Sequence, residues 1–184
     1  EFLFEAMTIV HQVFPELHLV VAGKGNYYFD ISSYIELEYF DIQNRFIPDN
    51  ELALMIQGCE FVVLPYIDAT QSGVVMSAYA FNKPCIGTNV GGLPEMIENG
   101  INGIIVEPRN VSALAESICM LYKDKTKIQE FANVIDKEYH LGNKSWAKIS
   151  CEMKNVYSSI VSIQHKKVAK KGKRQKMTYC QKKI

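Results

Sequence analysis

The stretch FVVLPYIDATQSGVVMSAYAFNKPCIGTNVGGLPE, residues 61–95, decides the fold that we predict for this chain. It contains two apolar runs of strand length, Phe61 to Leu64 and Cys85 to Thr88, with a helical segment, Val74 to Phe81, between them. Two short apolar runs joined through a helix are typical of a β-loop-α-β unit in a parallel sheet. The sequence therefore predicts an α/β domain built around this unit.

The loop before that helix ends in Thr70, Gln71, Ser72 and Gly73. A helix start leaves several backbone N–H groups unpaired and carries partial positive charge, so this pattern is typical of a phosphate or carboxylate site. The alternative is structural: Ser72 or Thr70 caps the helix, and Gly73 turns the chain. The local pattern leaves both interpretations open.

Length and composition indicate one globular domain. A chain of 184 residues with 48% hydrophobic and 22% charged residues can bury one good core. No apolar run reaches the roughly 18 to 20 residues that span a bilayer, and the first residues lack the basic start of a secretory signal. The five cysteines form no C-x-x-C pair and have no histidine at metal-ligand spacing, so we predict neither a metal site nor a disulfide framework.

Charge separates the last residues from the rest. From His165 onward the chain carries nine Lys or Arg residues and no acidic residue, which leaves 11 basic and 20 acidic residues in the remainder. We predict a basic, disordered tail at residues 165–184. Attraction of this tail to an anionic membrane is an alternative to a fully solvated tail, whereas the acidic body argues against nucleic-acid binding.

Periodicity places the other elements. Before the central unit we predict a helix from Glu1 to Val13, a fully buried strand from Leu17 to Ala22, a short helix from Ile31 to Leu37, a strand from Ile42 to Ile47, and a helix opened by Pro48 and Asp49 and stopped by Gly58. After Val106 we predict helices from Asn110 to Tyr122, from Lys127 to Val134, and after a capping Ser145. The last helix carries apolar residues that we assign to the core: Trp146, Ile149, Met153, Val156, Ile160 and Ile163.

The full string from PYIDATQSG to GGLPE, followed by ENGINGIIVEP, resembles the nucleotide-binding C-terminal domain of the sucrose-synthase-like group 1 glycosyltransferases (family 4), which are retaining enzymes of the two-domain GT-B fold. The residues that carry the resemblance are Pro65, Asp68, Gly73, Pro84, Gly91, Gly92, Pro94, Glu95, Gly100, Gly103 and Val106. It covers most of residues 1–162. It implies a Rossmann-like parallel sheet with helices on both faces, followed by C-terminal helices. The resemblance also allows the last helix to cross back to the other domain, which would leave its apolar stripe incompletely covered. We expect a nucleotide-sugar-binding domain at residues 1–164, lacking its first strand.

The resemblance also implies a site for a nucleotide diphosphate sugar, without a metal or other cofactor. It implies phosphate contacts at Thr70, Gln71, Ser72, Gly73 and Val74. Asp68 is expected near the sugar and Ser77 near the ribose. The base is expected beside two turns, Gly23, Lys24 and Gly25 in the first, and Phe46, Ile47 and Pro48 in the second.

Two departures from the family pattern bear on activity. Many relatives carry a glutamate where Ser77 stands, and Asp68 lies nine positions before it instead of eight. Relatives also bring a basic pair upstream of the first helix and an acceptor-binding domain with a catalytic histidine. Neither is in this sequence, so we expect the chain not to turn over alone.

The sequence thus predicts the donor-binding part of a hexosyltransferase for polysaccharide biosynthesis in the cytoplasm, with peripheral contact at the inner face of the membrane as an open alternative. It would transfer a sugar, with UDP as a candidate carrier, to a glycan or lipid-linked acceptor with retention. A non-catalytic nucleotide-sugar-binding or scaffold module of the same fold is the main alternative. A nicotinamide dehydrogenase is disfavoured because Tyr28 stands where a G-x-G-x-x-G match would need its third glycine.

Overall fold

A computed structural model describes residues 1–161 and divides the chain into two compact units, the first Glu1–Lys137 and the second beginning at Glu138. The predicted basic tail, the predicted domain boundary after residue 164 and the predicted core residue Ile163 lie outside the described residues. None of the described helices is both long and apolar enough to cross a membrane.

The first unit alternates helices and parallel strands, which confirms the predicted α/β class. Its elements are α1 (Phe2–Val13), β1 (Leu19–Ala22), α2 (Ser32–Ile35), β2 (Phe40–Gln43), α3 (Asp49–Gly58), β3 (Val62–Leu64), α4 (Gly73–Ala80), β4 (Cys85–Thr88), α5 (Leu93–Met96), β5 (Gly103–Val106), α6 (Val111–Lys123) and α7 (Lys125–Ile135). The strands form two parallel sheets, β1 with β2, and β3, β4 and β5 in that order.

β4 is the central strand of the larger sheet, and all four of its residues are buried. Cys85 and Ile86 are fully buried because parallel strands with neighbours on both sides are covered on both faces. β5 lies so close to β4 that a side chain on Gly103 would overlap the carbonyl oxygen of Cys85 and approach Ile97 Cγ2 to 2.7 Å. Gly103 is therefore required by close packing of the two strands.

β1 is not the fully buried strand that we predicted. Its exposure alternates: Leu19 and Val21 pack on the core, whereas Ala22 is exposed and Val20 is 51% exposed. Within residues 1–161 β1 pairs with β2 alone, and the alternating exposure shows that one face of this two-stranded sheet is uncovered. β2 also ends at Gln43, earlier than the strand predicted to reach Ile47.

The core of the first unit lies between α1, α6 and the strands. α1 buries Phe4, Ala6, Met7 and Val10, and α6 buries Leu114, Ala115, Ile118 and Leu121. Both sets recur at helical spacing, so each helix presents one apolar stripe and the two stripes pack together. These two helices correspond closely to the predicted ones.

The second unit contains most of a π-helical segment (Asp136–Leu141) and a helix, α8, which covers residues 146–161. Ser145 precedes α8, and its Oγ accepts a hydrogen bond from the Lys148 N–H at 3.3 Å, as expected of a cap. The predicted core stripe of α8 is wrong, because Trp146 is 76% exposed and Met153, Val156 and Ile160 are also exposed. The described residues do not cover this apolar face.

Replacing Gly103 by alanine should lower the free energy of unfolding by about 1–3 kcal/mol, the usual cost of overpacking a close contact. The matched control is Gly58→Ala at the end of α3, where an added Cβ meets no atom within 4 Å. We expect that control to stay within about 0.5 kcal/mol of the wild type. Urea denaturation followed by circular dichroism measures both, and equal stabilities of the two variants would contradict the packing argument.

Candidate functional site

The loop between β3 and α4, residues 65–72, leaves the larger sheet at the carboxyl end of β3. The chain also leaves β4 at this edge, at Thr88, and β5 at Val106. Open parallel sheets bind their ligands outside the carboxyl ends of their strands. The loop predicted to hold an anion therefore lies at the edge where ligands of such sheets bind.

The turn after β4 supports this loop through two glycines. Gly91 has a φ of +50°, and a Cβ there would overlap the carbonyl oxygen of Ala69. Gly92 donates its N–H to the Thr70 carbonyl at 2.9 Å, and a Cβ at Gly92 would lie 2.5 Å from the same oxygen. The Gly91–Gly92 turn thus holds the loop by direct backbone contact.

Thr88 and Tyr66 hold the beginning and end of the loop. Thr88 Oγ1 donates to the Tyr66 carbonyl at 2.6 Å, which ties the start of the loop to the end of β4. The Tyr66 hydroxyl lies 3.4 Å from Ser72 Oγ at the other end of the loop. Together with the glycine turn, these contacts define the path of the chain into α4.

The start of α4 has no side-chain cap. Ser72 occupies the N-cap position with φ −127° and ψ 111°, but its side chain makes no capping hydrogen bond and is 4% exposed. The capping alternative is therefore not realised. Within residues 1–161 no hydrogen bond engages the amides of Ser72, Gly73 and Val74, and no atom lies within 4 Å of a Cβ placed on Gly73.

The other predicted residues of the loop and of α4 differ in how accessible their side chains are to a ligand. Asp68, Thr70 and Gln71 are exposed, so their side chains are accessible to a ligand. Ser77 Oγ donates to the Gly73 carbonyl at 3.1 Å, one turn earlier in the same helix. The hydroxyl proton is therefore used in this backbone hydrogen bond, whereas the oxygen can still accept a hydrogen bond from a ligand.

The two turns predicted to border a base lie together at the smaller sheet. Gly23, Lys24 and Gly25 follow β1, and Phe46, Ile47 and Pro48 lie beyond β2. Asn44 joins the two turns: its Oδ1 accepts from the Gly25 N–H at 3.0 Å, and its Nδ2 donates to the Gly25 carbonyl at 2.9 Å. Phe46 is 74% exposed.

Arg45 holds the second turn from two sides. Its guanidinium donates to Gln43 Oε1 at 2.7 Å at the end of β2, and it pairs with both carboxylate oxygens of Glu51 in the first turn of α3. The hydrogen bond from Arg45 lowers the pKa of Glu51, and the same bond raises the pKa of Arg45. The pair therefore stays charged at neutral pH and braces the turn.

The structure therefore brings the predicted site residues into two groups. Residues 66–77 are joined to the turn after β4, and residues 23–25 are joined to residues 44–48. Among the described residues no hydrogen bond connects one group with the other. Each group lies at a different sheet.

Sequence reasoning missed the residues that support these groups, namely Thr88, Tyr66, Asn44 and Asn102. Asn102 is fully buried, and its Oδ1 accepts from the Glu98 N–H at 2.8 Å and the Tyr79 hydroxyl at 3.0 Å, which ties α4 to the turn before β5. An asparagine in the G-x-N-G run was a usable signal for a turn. The partners of Asn44 and Thr88 are 19 and 22 residues away, and no local pattern identifies them.

The sequence model described as glycosyl transferases group 1 matches residues 1–124. An uncharacterized glycosyltransferase of Methanocaldococcus jannaschii is 27% identical over 148 residues, which make up 79% of this chain and 41% of that protein. The chain thus spans about two fifths of the length of this relative.

Two solved structures have the same fold. The C-terminal domain of a group 1 family glycosyl transferase, LpcC, from Francisella tularensis superposes with a TM-score of 0.64 at 19% identity, covering 75% of this chain and 77% of that one. HepE of Anabaena, solved in complex with UDP, superposes with a TM-score of 0.66 at 19% identity, covering 86% of this chain and 44% of that one. These likenesses confirm the predicted fold of a C-terminal GT-B domain.

Replacing Gly91 by alanine should displace the loop, because the new Cβ collides with the Ala69 carbonyl. The matched control is Gly100→Ala, since Gly100 also has a positive φ, +78°, but has no atom within 4 Å of its Cβ position. Both variants carry the backbone strain of about 1 kcal/mol, and Gly91→Ala should lose about 1–3 kcal/mol more.

Amide hydrogen exchange provides the local measurement for this pair of variants. Exchange of the Gly92 amide, which donates to the Thr70 carbonyl, should accelerate in Gly91→Ala and remain at the wild-type rate in Gly100→Ala. Unchanged exchange in both would show that the glycine turn does not hold the loop.

Proposed function

The chain belongs to the group 1 glycosyltransferases, and we propose that its uncapped helix start binds the diphosphate of a nucleotide sugar during transfer of that sugar to an acceptor. The proposal rests on one observation: the backbone amides of Ser72, Gly73 and Val74 make no hydrogen bond within the described residues. Unpaired amides at a helix start form an anion site.

Transfer from a nucleotide sugar requires such donors. The bond from the sugar to the diphosphate breaks, and negative charge develops on the leaving phosphate while the sugar becomes oxocarbenium-like. Fixed hydrogen-bond donors aimed at developing charge lower the barrier because they need no reorganisation. Here the donors are backbone groups, and the Gly91–Gly92 turn fixes the loop that leads to them.

The residues around the helix start have separate roles in this proposal. Ser72 contributes through its backbone, because its side chain is buried. Thr70 and Gln71 are exposed for phosphate contacts, and Asp68 is exposed for the sugar hydroxyls. Ser77 can accept a hydrogen bond from the ribose through an oxygen that already donates to Gly73.

The base is proposed to lie against the second group, beside Gly23, Lys24 and Gly25 and the turn of Phe46, Ile47 and Pro48. Phe46 supports this assignment, since its exposed ring offers a stacking surface for a planar base. UDP is the first carrier to test, because the HepE structure of similar fold was solved in complex with UDP.

We propose further that transfer proceeds with retention to a glycan or lipid-linked acceptor in polysaccharide biosynthesis. In this proposal a second domain binds the acceptor. The archaeal relative supports this, because this chain matches only about two fifths of its length. The chain alone should then bind donor without turning it over. We expect a cytoplasmic enzyme, and the basic residues after His165 supply charge for peripheral contact with an anionic membrane.

A non-catalytic nucleotide-sugar-binding module is the second candidate. Ser77 favours it, because this position carries a glutamate in the family pattern and the serine hydroxyl is hydrogen-bonded to the Gly73 carbonyl. Serine brings no charge to the ribose. Turnover of any nucleotide sugar by a form of the protein that includes an acceptor-binding domain would exclude this candidate.

Titration calorimetry of the chain with UDP, GDP and ADP tests the donor site, and we expect UDP to bind. Gly73→Glu should weaken UDP binding at least tenfold, about 1.4 kcal/mol, because the new carboxylate repels the diphosphate. It should leave the fold intact, since an acidic residue in the first turn favours a helix and the space beside Gly73 is open.

Gly58→Glu is the control for added charge, because an added side chain there also meets open space. It should bind UDP like the wild type. Equal affinity of Gly73→Glu and the wild type for UDP would show that the ligand binds elsewhere. A folded wild-type chain that binds none of the three diphosphates would contradict the proposal.

Removal of divalent metal ions should not weaken UDP binding, because the proposed phosphate donors are backbone N–H groups. Within residues 1–161 no three His, Cys, Asp or Glu side chains are grouped so that they could share a metal ion. Calorimetry with and without EDTA is the measurement, and a loss of affinity in EDTA that Mg²⁺ restores would show that a metal carries the diphosphate.

A further inference from the structure

We propose that Asn44 is a positioning residue that joins the loop of residues 23–25 to the turn of residues 44–48 and thereby forms the base-binding half of the donor site. This inference rests on the proposed function. The residues in question lie at the smaller sheet, whereas the proposed phosphate half lies at the larger one.

The contact between Asn44 and Gly25 has the pattern of a short strand pairing. The ladder of β1 and β2 ends at the pair Ala22 and Gln43, and the Gly23 N–H donates to the Gln43 carbonyl at 3.2 Å just beyond it. Asn44 then both accepts from and donates to the backbone of Gly25, at 3.0 and 2.9 Å. Its side-chain amide therefore continues the pairing after the strands have separated.

The first loop needs this restraint because its glycines supply none of their own. Gly23 has a φ of +142°, and a Cβ on either Gly23 or Gly25 would meet no atom within 4 Å. Glycine has the largest conformational freedom of any residue. A loop ordered before the ligand arrives does not have to lose that freedom on binding, and the affinity is higher for that reason.

Asn44 is a suitable anchor because its own turn is fixed. The neighbouring Arg45 donates to Gln43 Oε1 at 2.7 Å and to the Phe46 carbonyl at 3.3 Å, and it pairs with Glu51 at the start of α3. The turn is therefore tied to the strand before it and to the helix after it. Asn44 transmits this fixed geometry to Gly25.

The arrangement predicts that loss of Asn44 affects the binding of the base and of the diphosphate differently. No hydrogen bond within residues 1–161 joins the Asn44 group to the loop of residues 65–72 or to the Gly91–Gly92 turn. Loss of Asn44 should therefore weaken contacts to the base and leave contacts to the diphosphate unchanged. A merely structural asparagine would affect both parts or neither.

The test compares the wild-type chain with Asn44→Ala in NMR titrations with UDP, uridine and inorganic pyrophosphate. Dissociation constants for UDP and uridine should rise about fivefold in the variant, the effect of about one net hydrogen bond. The constant for pyrophosphate should not change. Exchange of the Gly25 amide should accelerate at the same time, because its acceptor has been removed.

Two further variants serve as controls. Asn50→Ala makes the same substitution at an exposed position in the first turn of α3 that forms no side-chain hydrogen bond within the described residues, and it should match the wild type for all three probes. Asn44→Asp keeps the acceptor for the Gly25 N–H and loses the donor to the Gly25 carbonyl. It should fall between the wild type and Asn44→Ala.

The outcomes separate this inference from the function on which it rests. A folded wild-type chain that binds neither UDP nor pyrophosphate overturns the proposed function, and the inference with it. Wild-type binding of UDP together with unchanged uridine and UDP affinities in Asn44→Ala overturns the inference alone. A loss of pyrophosphate affinity equal to the loss for uridine also overturns it, because it would show that the two halves are not separate.

Discussion

The contact between two backbone segments, at Ala69–Thr70 and at Gly91–Gly92, is the constraint on which the candidate site depends. The carbonyl oxygens of the loop occupy the volume that any side chain at either glycine would need. The loop held in this way enters α4 at Ser72, whose side chain does not cap the helix. The unpaired amides of the helix start therefore lie at the end of a loop whose path is fixed by a steric contact with another turn.

The energetics of the site are dominated by backbone contacts and close packing rather than by charge. The Arg45–Glu51 pair is partly exposed, and solvent-exposed ion pairs contribute little to stability. Its role is geometric, since two guanidinium nitrogens fix the orientation of a turn. By contrast, Tyr79 and Asn102 hold α4 through a hydrogen bond that is entirely buried, where an unpaired partner would cost considerably more.

Features that depend on local sequence were predictable. The strand at Cys85–Thr88 and the helix that precedes it agree with the structure because their apolar periods are bounded by glycine, asparagine and proline. Burial of β1 was not predictable, since an apolar run indicates a strand but does not reveal how many neighbours it has. The exposed face of α8 illustrates the same limit: helical spacing identifies a stripe, and only the surrounding structure determines whether it is covered.

The site shows this limit most clearly. The glycines, Ser72 and Thr70 could be assigned to an anion loop because helix starts have a known chemistry. The contact of Gly91 with Ala69 joins residues 22 positions apart in sequence, and its Cβ clash depends on the path of both segments. Such contacts are properties of the folded chain, so the sequence predicts a candidate anion loop but not the contacts that shape it.

The location of Trp146 has a spectroscopic consequence. It is the single tryptophan of the chain, it is largely exposed, and it lies on α8 in the second unit. Its emission is therefore governed by the water around α8. Quenching or a spectral shift of this fluorophore reports when the apolar face of α8 becomes covered, and the tyrosines of the first unit must report on the sheets.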